Sequence, residues 1–517
     1  MLRLVMGMTL LALALLPDSL AARGGTLLDR ERLLARYHAR HDAFADQLSG
    51  LALDCESRGL TAAAASIRAL TPLPAEADFN LDNLPPSVGS PANPAGQPGQ
   101  FDWEAELRAA RQLYADDLFL IALEAIRQEF PRLALDWIRE TAFHDPDHEL
   151  ARERLGWVRY GDRWVTPFTA LMLRRGYLHH ERFGWLPADH VDRYEQGERF
   201  WKGRWVPADR EPELRKSISM VDAWEVESDH FVVRTNHSLE RGVELSAALE
   251  DLHRFFIREF AEFFATRGQM TRIFDDGKPL DPTGVGKHEV WYFRTREEYQ
   301  RYVRAKQKGA DLMTGFYMPR ERRAYFFAAP DNPQANIETL YHEVTHQLLS
   351  ESNRKVFEVG EASGFWAIEG IACYMESFNR GGERFTVGDP MHSRIYFARE
   401  RIVAEDWFMP LEQFTHMGRS KFQAAPAGQS PEETMKTWQR YYSQATGLTH
   451  FLLHYENGRY RDGFVSYLTQ LYSPDSRIRG PAQSLDEAVG VTFDELNRQY
   501  VEYVRNLPTG GTESQVR

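Results

Sequence analysis

Five residues constrain this chain more than anything else in it: His342-Glu343-Val344-Thr345-His346. They lie in a stretch with helical spacing, Asn336 to Leu349, and residues four apart share one face of a helix, so both imidazoles can reach one ion. Glu343 can face a water bound to that ion. This is the HExxH arrangement, two neutral nitrogen ligands with a carboxylate as general base. A catalytic zinc wants three protein ligands and a water. The sequence supplies a candidate after the loop Ser352 to Ser363, in Phe365-Trp366-Ala367-Ile368-Glu369-Gly370-Ile371-Ala372-Cys373-Tyr374-Met375-Glu376. That run predicts an antiparallel return helix with Glu369, Cys373 and Glu376 on one face. A carboxylate on so apolar a helix is costly to bury unless it is paired or metal-bound.

The rest of the chain places this motif in a larger plan. Residues 1–22 read as an export signal: Arg3, the apolar run Leu4 to Leu16, Pro17, then Ser19-Leu20-Ala21-Ala22. The run is shorter than the roughly 20 residues a spanning helix needs. An exported protein, periplasmic or secreted, is expected. Residues 23–70 predict a helical hairpin and 71–100 a Pro/Gly-rich linker holding Pro85, Pro86, Pro91, Pro94 and Pro98. Residues 101–219 predict a helical, repeat-like module, with three Trp-containing hairpins at Tyr160–Pro167, Gly184–Pro187 and Trp201–Pro207. From about 220 to 507 strands join in, at Phe231–Thr235 and Glu289–Phe293, with an amphipathic helix at Leu245–Phe264 and a hairpin from Thr314–Tyr317 and Ala324–Ala328. A polar tail, 508–517, closes the chain. The fold class expected is α+β, mainly α.

With 62 Lys and Arg against 75 Asp and Glu, the net charge of −13 argues against a general phosphate-backbone binder. No nucleic-acid partner and no membrane span in the mature chain are expected. The two cysteines, Cys55 and Cys373, are far apart and read as buried, unpaired thiols.

The HExxH motif with Trp366, Glu369, Gly370, Ala372, Tyr374 and Glu376 resembles the gluzincin group of zinc metallopeptidases, whose downstream helix reads Trp-x-x-Glu-Gly-x-Ala-x-Tyr-x-Glu. The resemblance runs roughly from Trp224 to Leu471. It is closest to exported bacterial members that join a helical front half to a peptidase-like back half. It implies a thermolysin-like catalytic domain with Zn2+ held by His342, His346 and Glu369, and with Glu376 orienting a ligand histidine from outside. It also implies that Glu343 takes a proton from the zinc-bound water and passes it to the leaving amine. The oxyanion donor would come from Tyr441 or Tyr442, with Tyr442 preferred. The hairpin residues Gly315, Phe316 and Tyr317 sit where the family keeps its substrate-pairing edge strand, but no amine-binding glutamate accompanies them. A Gly-x-Met-Glu-Asn segment is also missing, which weakens an exopeptidase reading.

Weaker candidates complete the survey. His450 and His454 have ligand spacing without a glutamate pattern, and a solvated loop is the default for Asp275-Asp276-Gly277 and Asp281. Arg320, Arg322 and Arg323 cluster at a predicted turn. The expected substrate is a peptide or protein, with a possible protein partner on the helical module. The rival is a non-catalytic binding or scaffold protein that uses that module and keeps a structural or vestigial zinc site. An intact Glu343 argues against the rival, since a structural site needs no base.

Overall fold

Helix α1 (Leu27–Ser57) turns at Gly59 into α2 (Thr61–Ala69), and α3 (Trp103–Arg127) is followed by α4 (Pro131–His144). The computed structural model describes residues 27–70, 101–264, 286–306, 313–352, 359–380, 385–424, 428–473 and 484–509. The predicted signal, the predicted linker, the Asp275–Asp281 stretch and most of the predicted tail lie outside the described residues. Among those described, no helix is long and apolar enough to cross a membrane.

The four front helices share one core. Leu33, Tyr37, Phe44 and Leu48 of α1 pack with Tyr114, Leu118 and Ile121 of α3 and with Trp137 and Ile138 of α4. The predicted boundary at 71–100 therefore does not divide the packing. A short helix of buried Ala151 and Arg152 follows. Then come three antiparallel hairpins: β1 (Val158–Tyr160) with β2 (Arg163–Val165), β3 (Tyr177–His180) with β4 (Gly184–Pro187), and β5 (Arg199–Trp201) with β6 (Arg204–Val206). Trp164 is buried, whereas Trp205 is half-buried under the Arg193 guanidinium, 3.9 Å from its ring centre.

The back half is built on one five-stranded mixed sheet of β7 (Trp224–Glu227), β8 (Phe231–Thr235), β9 (His288–Phe293), β10 (Gly315–Met318) and β11 (Arg323–Phe327). Its order is β10-β11-β9-β8-β7, with β8, β9 and β11 parallel and the outer strands antiparallel. Period-2 alternation gives the sheet two apolar faces. Val233, Val290 and Phe326 join a core with Leu249 and Leu252 of α5 (Leu239–Glu259). Trp291, Phe293 and Tyr325 pack on the other side with Tyr299 and Val303 of α6 (Arg296–Arg304). The α5 helix starts six residues before the predicted point because Ser238 caps it, accepting from the Arg241 N–H at 3.2 Å. It breaks at Phe260, before the predicted end.

Four further helices carry or support the motif. They are α7 (Pro333–Ser352), α8 (Phe365–Met375), α9 (Ser393–Val403) and α10 (Pro431–His454). The last opens with a Ser430/Glu433 capping box and Pro431. Helices α11 (Arg461–Leu471) and α12 (Phe493–Arg505) close the same core. Gly370 lets α8 approach α10: a Cβ there would fall 2.6 Å from the Ala445 carbonyl oxygen and 2.5 Å from Thr449 Oγ1. The fold is thus mainly helical α+β with one mixed sheet.

Candidate metal centre

Helical spacing brings His342 and His346 to the same side of α7, with Nε2 atoms 3.1 Å apart. From the facing helix, Glu369 Oε2 lies 3.7 Å from each of them. Donors about 2.0–2.1 Å from a tetrahedral zinc stand about 3.3 Å from one another, so this two-nitrogen, one-oxygen set fits that ion. Glu369 is 7 % exposed on an otherwise buried helix. Burial opposes its charge, but the two histidines and Arg419 outweigh burial and hold its carboxyl below the ordinary value.

His342 is held from behind. Its Nδ1 is 2.8 Å from Glu376 Oε1, which leaves Nε2 to face His346 and Glu369. Arg394 donates from Nε to Glu376 Oε2 at 2.9 Å and from Nη2 to Oε1 at 3.2 Å, a bidentate clamp contributed by α9. Burial works against the Glu376 charge, yet His342 and Arg394 hold its carboxyl down at about 2. Cys373 Sγ lies 3.9 Å from the same Nδ1, on the side away from the convergent nitrogens. Both cysteines are buried and unpaired.

Glu343 faces the other way, towards the sheet edge. The backbone N–H of Tyr317 on β10 donates to its Oε2 at 2.9 Å. Burial raises the Glu343 carboxyl above its ordinary value, against the opposing pull of His342, His346 and that N–H. A raised value suits a group that must accept a proton and give it up again. A cavity of about 400 Å³ opens over Glu343 and the three convergent side chains. Phe316 and Tyr317 line it on one side and Tyr442 lines it on another.

The predicted residues divide accordingly. His342, Glu343, His346, Glu369, Tyr442, Phe316 and Tyr317 border one cavity. Gly315 is not among its lining residues: it packs inward, where a Cβ would meet the Phe326 ring at 2.6 Å and Thr339 at 3.1 Å. Tyr441, one position from Tyr442, turns instead onto Trp407, Phe414 and Phe422. His450 and His454 are in hydrogen bonds, the first with the Gly388 carbonyl at 2.9 Å and Tyr503 at 2.8 Å, the second with Tyr374 at 2.6 Å. Arg322 donates to Glu351 at 3.0 Å and Arg323 pairs with Glu289. Sequence reasoning missed Tyr472, Arg419 and Gln423, which also line the cavity. They come from segments with no motif of their own.

Neither the models of known protein families nor the curated proteins contain a match to this chain.

Proposed function

We propose that this chain is a zinc-dependent peptidase, of gluzincin type, that cleaves peptides or proteins outside the cytoplasm. One observation carries the reading: a half-buried carboxylate with a raised pKa, Glu343, borders the same cavity as a convergent His-His-Glu set. A merely structural site has no use for that carboxylate. His342, His346 and Glu369 would hold the ion, which when bound acidifies water and polarises a carbonyl. Glu343 takes the proton of the attacking water and gives it to the departing amine, one carboxylate serving both transfers. Tyr442 donates its phenol hydrogen to the oxygen on which negative charge develops. Burial, Glu369 and Cys373 push its pKa up, so it stays a donor at neutral pH.

Strand β10 is an edge of the sheet, and an extended substrate would add to it as a further strand. Arg394 and Glu376 fix the ring of His342, so the Nε2 lone pair is aimed before any ligand arrives. The front helices, which share a core of their own, would present a protein partner or substrate to the back half.

The test is hydrolysis of a quenched casein by the full chain before chelation, after chelation, and after zinc is restored. Turnover should vanish on chelation and return with zinc. Absence of hydrolysis in all three states, with zinc bound in stoichiometric amount, would favour a scaffold role instead.

A further inference from the structure

On the sheet face that also carries α7, but outside the lining of the first cavity, a second set of nitrogen and carboxylate groups converges. His230 lies in the turn between β7 and β8, and α5 carries Glu250 and His253 at helical i, i+3 spacing, which puts them on one face. One donor atom from each of the three lies within 4.8 Å of the others.

Glu250 is oriented by the turn it faces. Its Oε1 accepts from Ser228 Oγ at 2.7 Å and from the backbone N–H of His230 at 2.7 Å. Its Oε2 stays towards His230 Nδ1, also at 2.7 Å. The His253 ring is stacked on that of His230, with centroids 3.9 Å apart and planes 21° from parallel. His253 is only 4 % exposed. Among the described residues no hydrogen bond reaches its ring nitrogens.

We propose that His230, Glu250 and His253 form a second cation site, taking a transition metal of the zinc class. A single ion accounts for features that are otherwise separate. It explains why two imidazoles are packed against the same carboxylate, and it would take the place of the direct contact between His230 Nδ1 and Glu250 Oε2. The donor set selects the ion. Two nitrogens and one oxygen suit zinc, nickel or copper, whereas calcium and magnesium want a shell of oxygens. The His230 side chain is 44 % exposed, which gives the ion a way in from solvent.

The surrounding charges also permit a cation. Asp229 adds negative charge beside His230 and Glu250. The nearby cations are engaged elsewhere, Lys287 with Glu227 at 2.7 Å and Arg254 with Asp251. An ion here would tie the β7–β8 turn to α5. The consequence reaches further: the His253 ring is 6.1 Å from that of His288, and His288 Nδ1 is 2.7 Å from Glu351, the partner of the Tyr317 hydroxyl at 3.3 Å. The second site thus braces the sheet from the side opposite the edge strand.

The test uses zinc alone as the probe and the full chain throughout, with the bound equivalents measured by equilibrium dialysis and elemental analysis. Wild type should hold two equivalents, and His230→Ala should hold one. A His342→Ala/His346→Ala variant should keep one equivalent and melt higher with zinc than without it. Adding His230→Ala to that background should weaken zinc at least tenfold and abolish the thermal shift. His230 is half-exposed, so its replacement leaves the core intact, and circular dichroism of the metal-free variants checks this. A wild-type chain that binds one equivalent, unchanged by His230→Ala, would overturn the site. So would zinc binding in the His342/His346 background that is indifferent to His230. Neither result bears on the first centre, whose ligands are different residues.

Discussion

Two histidine pairs, each with a glutamate, converge in this molecule, and they differ in what surrounds them. At His342, His346 and Glu369 the donors border a cavity of about 400 Å³, and a fourth group, Glu343, stands in it with a raised pKa. At His230, Glu250 and His253 the rings stack on one another, and the glutamate is tied into a tight turn by Ser228. The ligand chemistry is alike; the spare carboxylate and the cavity are not. What separates a site that could catalyse from one that could only brace is the group that does not bind the ion.

The contrast can be broken or sharpened by substitution. The largest effect short of the base itself is expected from Tyr442→Phe, which keeps the ring and removes the donor. Turnover of a quenched peptide should fall by about 10²–10³-fold with little change in KM, as for loss of an oxyanion donor. If turnover stays within twofold, Tyr442 is only part of the wall. Next in size is Glu376→Gln, which leaves the three convergent donors in place and loosens the clamp on His342. Zinc affinity should drop about 10–100-fold, measured by competition with a chromophoric chelator. An unchanged affinity would show that Arg394 and Glu376 merely pack.

Gly370→Ala tests the scaffold of the first centre rather than its chemistry. With backbone only 2.6 Å from the new methyl group, α8 must move off α10, and overpacking of this kind costs about 1–3 kcal/mol in denaturant unfolding. The smallest effect is acid sensitivity of the metal-free chain. Glu376 is held down at about 2 against an ordinary 4.5, so the unfolded chain binds the extra proton between those values. The stabilisation is complete above about pH 4.5 and is lost as the pH falls towards about 2. Glu376→Gln should flatten that part of the stability profile. An identical acid limb would mean that other carboxylates control it.

Much of the first centre was legible because its information is local. Four-residue spacing aligns His342 with His346, and a lone carboxylate on an apolar helix announced Glu369. The same helical face carried Glu376 to the back of His342. The second cluster was not legible, since His230 comes from a turn and meets Glu250 and His253 only once α5 packs on the sheet. Tyr472, Arg419 and Gln423 reach the cavity the same way, from segments whose local pattern says only helix or helix end. Gly315 was read by position alone, and the packing of Phe326 and Thr339 accounts for it instead. The break in α5 at Phe260 has no proline or glycine to mark it. Likewise the linker drew a boundary through the sequence, while α1 and α2 bury their apolar faces against α3 and α4 beyond it.

The difference between the two clusters rests on Glu343, and one variant addresses it directly. In Glu343→Gln the proposed ligands His342, His346 and Glu369 are untouched and the shape is nearly unchanged, so zinc should remain at the wild-type stoichiometry. Hydrolysis of quenched casein, measured on the same preparation, should fall about 10²–10⁴-fold, the contribution expected of a general base. Wild-type turnover from a zinc-loaded Glu343→Gln chain would contradict the assignment.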